Sequence, residues 1–132
     1  EFKLKFRESG SDNFNELTNS RFSSFSGGER AMSVYIPLFA AVAAQYEKAG
    51  EQAPKILALD EAFAGVDDSN ISEMFDLLEK LGFGYIINSQ SLWGCFKTIP
   101  KLNIAELIHE KNSDFITVIK YEWNGKIKKL VK

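Results

Sequence analysis

Ile56-Leu57-Ala58-Leu59-Asp60-Glu61 runs directly into Ala62-Phe63-Ala64-Gly65-Val66-Asp67. Four apolar residues ending in two adjacent acids read as a strand through the core, spanning Lys55–Asp60, that delivers carboxylates to its C-terminal edge. Ligands of α/β sheets bind at that edge. Successive strand side chains diverge, so the two acids have different tasks. One can hold Mg²⁺, a hard cation that prefers oxygen ligands and keeps part of its water. The other can orient or deprotonate an attacking water. Taken alone, Asp60-Glu61 also describes a solvated strand end or a helix start.

Upstream lies Phe25-Ser26-Gly27-Gly28-Glu29-Arg30. Ser26 is a good N-cap, and the spacing predicts a long helix from about Gly28 to Lys48. Free N–H groups and the helix dipole make such a start attractive to anions, and glycine allows a phosphate close to the backbone. A capped helix start without a ligand has the same sequence. The helix is apolar nearly all round (Val34 to Ala44), which predicts burial on most sides. Pro37 inside it predicts a kink.

Further along, Asp67-Asp68-Ser69 caps an expected helix over about Asn70–Leu81, stopped by Gly82. Phe83–Asn88 reads as a second buried strand and Ser89–Ile99 as a loop with a short helix. Ile104–His109 and Phe115–Trp123 read as antiparallel strands. Asn124-Gly125 signals a two-residue hairpin into Ile127–Val131. At the other end, Phe2, Leu4 and Phe6 alternate with basic residues in a short half-buried strand. Residues 8–25 read as a loop with a helical turn around Asn13–Leu17. The order predicts an α/β fold: strands with helices, followed by an antiparallel β-meander.

Bulk properties fit this reading. The 132 residues suit one domain or part of one, and 45% hydrophobic with 26% charged is a globular composition. A net charge of −2 calls for neither nucleic acid nor an anionic membrane, although a local patch on a neutral domain can serve either. Cys95 is the single cysteine, so no internal disulfide forms, and a reducing cytoplasm is the expected setting. No apolar run reaches the roughly 20 residues of a membrane span, so no membrane partner is expected. A start at Glu1 suggests a segment cut from something longer.

In order and spacing, these motifs resemble the ABC ATPase superfamily. Ser26-Gly27-Gly28-Glu29 matches its signature motif, Ile56–Glu61 its Walker B with catalytic glutamate, and Ala64–Asp67 its D-loop. No Gly-x-x-x-x-Gly-Lys-[Ser/Thr] occurs, so the sequence holds no P-loop. In SMC and Rad50/SbcC relatives a coiled coil separates that loop from the signature half. The resemblance thus implies a single lobe, residues 1–132, of the C-terminal ABC head type. A narrower likeness covers residues 21–125, through Tyr35–Ala41, Leu59–Asp68, Trp93-Gly94-Cys95, Pro100, Leu102 and Trp123-Asn124-Gly125. It is to the bacterial SbcC-related family of Wadjet-type (JetC-like) plasmid-defence operons.

By this resemblance ATP and Mg²⁺ are the cofactors of the complete head, with the P-loop supplied by an N-terminal lobe of the same protein. Asp60 would serve Mg²⁺ and Glu61 the hydrolytic water. Ser26, Gly27, Gly28 and Glu29 would meet the nucleotide of a second head in a homodimer, and Asp67 would couple the two sites. Gln90, or Ser89, stands where ABC proteins usually have the switch His. Gln90 would sense the γ-phosphate, with slow turnover because an amide cannot carry the imidazolium charge. An ordinary loop amide is the other reading of Gln90. DNA would be reached through the full complex, with kleisin or nuclease subunits as possible partners. Two alternatives remain open: a non-catalytic dimerisation domain of ABC-derived fold, and an SbcC-like subunit of an exonuclease complex.

Among the remaining residues, Arg21 and Arg30 read as surface or salt-bridged arginines, with phosphate contact as the lesser alternative. Trp93 reads as a core or interface anchor, Cys95 as a small buried hydrophobe and His109 as an ordinary strand residue. Lys126, Lys128 and Lys129 read as a solvated basic edge, with a DNA-facing patch as the lesser alternative.

Overall fold

The computed structural model describes residues 3–8, 10–50 and 52–131. The long helix forms where its Ser26 cap predicts. Helix α2, Gly27–Lys48, begins with a full capping box and runs continuously through Pro37. Ser26 N–H donates to Glu29 Oε2 (2.7 Å) and Glu29 N–H donates to Ser26 Oγ (3.3 Å). Each group satisfies a donor that the helix geometry leaves over.

Before it the chain differs from expectation. Residues 13–17 form no helical turn: Asn15–Glu16 is strand β2, paired antiparallel with β1, Lys5–Phe6. The expected strand is thus shorter, and its Phe2 lies outside the described residues. A short helix α1, Asn19–Ser24, follows. Thr18 Oγ1 caps it by accepting from Arg21 N–H, a local bond that no apolar periodicity announces. Arg21 lies over the Phe6 ring, and Phe6 meets Phe25 edge to face (5.1 Å).

Strand β3, Ile56–Leu59, pairs in parallel with β4, Gly84–Ile87, in register Leu59↔Ile87. Helix α3, Asp68–Lys80, crosses between them, capped by Asp67 and closed at Gly82 with φ +70°. Its inner face buries Ile71, Met74, Phe75 and Leu78. Phe75 is the hub, touching Phe63, Tyr85 and Phe96 at centroid distances of 5.4–5.6 Å. Phe39 of α2 and Leu57 of β3 join the same core.

Both strands were expected to be buried, but the two-stranded sheet has open edges. Ile56 is 51% and Ile86 68% exposed. Helix α2 is likewise not buried on most sides. Phe39 is buried, while Val34, Ile36 and Leu38 face outward. Among the described residues, Gly28 and Phe39 are the helix positions that are buried.

Residues 89–99 contain no helix, only turns such as Ile99 N–H to Phe96 O (3.0 Å). The meander then follows: β5 Leu102–His109, β6 Ile116–Trp123 and β7 Lys128–Leu130, all antiparallel. Trp123 anchors it to the core, with Nε1–H donating to Ile99 O (3.0 Å) and Phe96 O (3.2 Å). Pairing of Trp123 with Lys128 leaves residues 124–127 in the loop, so the expected two-residue hairpin is replaced by a longer one. Asn124 explains this, because its Oδ1 accepts from both Lys126 and Ile127 N–H and builds the turn itself.

Trp93 is no core anchor. It is 41% exposed, with Lys128 Nζ lying 3.4 Å over its ring and Tyr121 edge-on to it. Lys128 is thereby drawn off the basic edge. Cys95 is half-buried, and burial raises its thiol pKa. Among the described residues no helix is long and apolar enough to cross a membrane.

Candidate functional site

The parallel register places the ends of β3 and β4 side by side, and the acid pair emerges there. Asp60 and Glu61 are both exposed. Asn88 Nδ2 donates to Asp60 Oδ1 (2.8 Å), and Gln90 Nε2 donates to Glu61 Oε1 (3.1 Å). Each acid thus has its own amide, from alternate residues of the chain leaving β4. Of the two switch candidates, Gln90 reaches Glu61, while Ser89 Oγ accepts from Leu92 N–H.

The turn after β3 carries unusual backbone. Glu61 (φ +49°) and Phe63 (φ +63°) are left-handed although neither is glycine. Each costs on the order of 1 kcal/mol or more relative to a relaxed conformation. Burial offsets that cost: Ala62 and Phe63 are buried, and Phe63 sits between Tyr35 and Phe75. Ala62 N–H donates to Asn88 O (3.3 Å), and Tyr35 Oη, from α2, accepts from Phe63 N–H at 3.5 Å. The left-handed step turns the Glu61 side chain out of the strand line, toward the end of β4.

The second group gathers at the start of α2. A Cβ on Gly28 would stand 2.9 Å from Asp67 Oδ2 and 2.3 Å from Asn70 Nδ2. Gly28 is buried, and the lack of a side chain lets α2 and α3 meet start to start. Gly27 is exposed and faces Gly65 O, 3.4 Å from where its Cβ would be. Asp67 is fully engaged with Asn70, accepting from its N–H and its side-chain amide. These bonds lower the Asp67 pKa, the Asn70 backbone N–H foremost. Glu29 is lowered too, chiefly by the Ser26 backbone N–H.

Of the residues proposed for nucleotide contact, Ser26 and Gly27 present exposed backbone at a helix start, where N–H groups lack intrahelical acceptors. Glu29 and Asp67 instead spend their carboxylates on capping. Arg30 donates to Ser23 O (2.7 Å), so it braces α1. His109 bonds to the Ser113 carbonyl within its own hairpin.

Among the described residues no cluster of three or more His, Cys, Asp or Glu could hold a metal by itself. A Mg²⁺ site needs less, because that ion is commonly held by one or two carboxylates, water and substrate phosphates. Asp60 fits such a role, exposed and with one oxygen already anchored.

Asn88 joins the acid pair without having been expected there from the sequence. Its one signal was position: a polar residue ending an apolar strand, beside a strand that ends in acid.

Comparison with known proteins adds two findings. A family model described as SbcC/RAD50-like, Walker B motif matches residues 1–80, more than half of the chain. A solved chain from work on the structural biochemistry of ATP-driven dimerization and DNA-stimulated activation of SMC ATPases has a similar fold. The TM-score is 0.55 at 18% identity, covering 88% of this chain and 63% of that one. The present chain therefore spans less than two thirds of that structure. No curated protein matches. The shared fold is that of an SMC ATPase head, with parallel strands, helices and an antiparallel meander.

Proposed function

Because this chain belongs to the SbcC/RAD50-like Walker B family, we propose that it forms the signature-side lobe of a composite ATP-hydrolysing head. The observation that carries the reading is the acid pair. Asp60 and Glu61 leave one strand end, and each is held by a different amide of the neighbouring strand's exit.

Glu61 orients the attacking water and accepts its proton, and Gln90 fixes the carboxylate that does so. Asp60 would hold Mg²⁺ through its second oxygen, and the ion would supply charge neutralisation at the phosphates. Ser26 and Gly27 present hydroxyl and backbone N–H to a phosphate held by an opposite head. Gly28 and Asp67 set the angle between that helix start and the D-loop. A P-loop comes from another segment, since none lies in this sequence. DNA handling of the Wadjet type is the finer reading, supported by the sequence likeness over residues 21–125. Association of two heads by ATP is described for the similar SMC ATPase and is proposed here by analogy of fold.

The test is ATP turnover by the complete head, this chain together with its P-loop segment. Glu61→Gln is expected to lower turnover roughly 10²–10⁴-fold while ATP-dependent head association survives. Turnover by this chain without a P-loop segment would overturn the proposal. Gln90 in place of an imidazole favours a second reading, a head that associates on ATP without hydrolysing it. No turnover in the complete protein, with ATP-dependent association intact, would select it.

A further inference from the structure

Asn88 grips the acid-bearing segment at three points. Its N–H donates to Leu59 O (3.0 Å), its carbonyl accepts from Ala62 N–H (3.3 Å), and its Nδ2 donates to Asp60 Oδ1 (2.8 Å). These contacts bracket Asp60 and Glu61 in sequence. They also join segments distant in sequence, 28 residues apart for the Asp60 contact, through the register that pairs Leu59 with Ile87.

The chemistry of the third contact is specific. A carboxylate only accepts, so the Asn88 amide must present its nitrogen, and its orientation follows from the partner. An amide donates without adding charge. It occupies one carboxylate oxygen and leaves the other free with its negative charge undiminished. A lysine at this place would neutralise the carboxylate and compete with a cation. A hydrophobic residue would leave the side chain free to rotate, since Asp60 is exposed.

We infer that Asn88 is the positioning residue of the Asp60 carboxylate, holding Oδ1 so that Oδ2 is presented to a divalent cation. The inference rests on the proposal that Asp60 serves the metal. It divides the strand exit into two functions, Asn88 for the metal carboxylate and Gln90 for the water-directing one. Partners that orient a metal ligand in this way typically change metal affinity about 10–100-fold when removed.

The test is Mn²⁺ binding by the complete head with ATP, followed by electron paramagnetic resonance, on a Glu61→Gln background that suppresses hydrolysis. Asn88→Ala is expected to weaken Mn²⁺ binding roughly 10-fold without changing which nucleotide is held. Asn88→Leu is close in size and lacks the donor, so it replaces the alanine variant if that one fails to fold. The same weakening is expected. Unchanged Mn²⁺ affinity in a folded variant overturns the inference. Asp60→Asn in parallel separates the two levels. If that change leaves Mn²⁺ binding intact, the assignment of Asp60 fails. If it abolishes binding while the Asn88 variants bind normally, only the role of Asn88 fails.

Discussion

Gly28 faces Asn70 so closely that a methyl group on its Cα would fall 2.3 Å from Nδ2. The two residues lie where the start of α2 meets the start of α3. Gly28→Ala must push the Asn70 side chain off Asp67, and is expected to cost about 1 kcal/mol through the disturbed cap of α3. Gly27 has only Gly65 O nearby, at 3.4 Å. Gly27→Ala should therefore leave stability nearly unchanged while weakening ATP-dependent head association. Denaturant midpoints and association assays on both variants separate packing from phosphate approach. Equal loss of stability in the two would contradict the assignment.

Acid should loosen the helix starts first. Glu29 and Asp67 have pKa values held below their ordinary 4.5 and 3.8 by hydrogen bonds they accept. A lowered folded-state pKa means stability that is fully present above those ordinary values and is lost as pH falls through the depressed ones. Thermal unfolding should be flat from about pH 7 to 5 as far as these groups are concerned, then fall below about pH 4. Glu29→Gln should flatten part of that fall, and an unchanged acid profile in this variant would argue against the capping box as its cause.

Core and rim residues of similar chemistry should behave differently. Phe75 is 1% exposed and contacts three aromatic rings, so Phe75→Ala is expected to cost about 3–5 kcal/mol. Phe115, at the meander tip, is 81% exposed, and Phe115→Ala should stay within about 0.5 kcal/mol. Chemical denaturation of the two variants checks the ranking.

Lys128 over Trp93 is a cation–π contact at a partly exposed site, worth about 0.5–1 kcal/mol. Lys128→Arg should retain it and Lys128→Gln should lose it. Because Trp123 pairs directly with Lys128, a change in fluorescence confined to Lys128→Gln reports Trp93, three residues past Gln90, when Trp93→Phe abolishes it. Identical spectra for the two variants would show that the contact does not form in solution.

Much of this molecule was legible because its signals are local. Four apolar residues before Asp60 announce β3, the Ser26–Glu29 box announces α2, and Asp67 announces α3. What escaped depends on partners distant in sequence or on side chains acting for backbone. Helix α1 is held by polar contacts such as the Thr18 cap and the Arg30 bond to Ser23 O, with no apolar stripe to reveal it. The meander loop is longer than its Asn-Gly pair implies because the Asn124 side chain supplies the turn. Asn88 meets Asp60 only through strand register, which no single-strand pattern encodes. Burial was overestimated for α2, β3 and β4. An apolar residue signals that it can be covered, and within this chain much of that cover is missing.

The open β3–β4 pair carries a hazard as well as a site. Its strands read Ile56-Leu57-Ala58-Leu59 and Gly84-Tyr85-Ile86-Ile87, with no charge or proline among them to discourage further pairing. Such an edge is a template for aggregation, since an unpaired row of N–H and C=O groups accepts whatever strand arrives. Produced by itself at high concentration, this chain should precipitate or form mixed oligomers. Its solubility then depends on how soon after synthesis that edge is occupied.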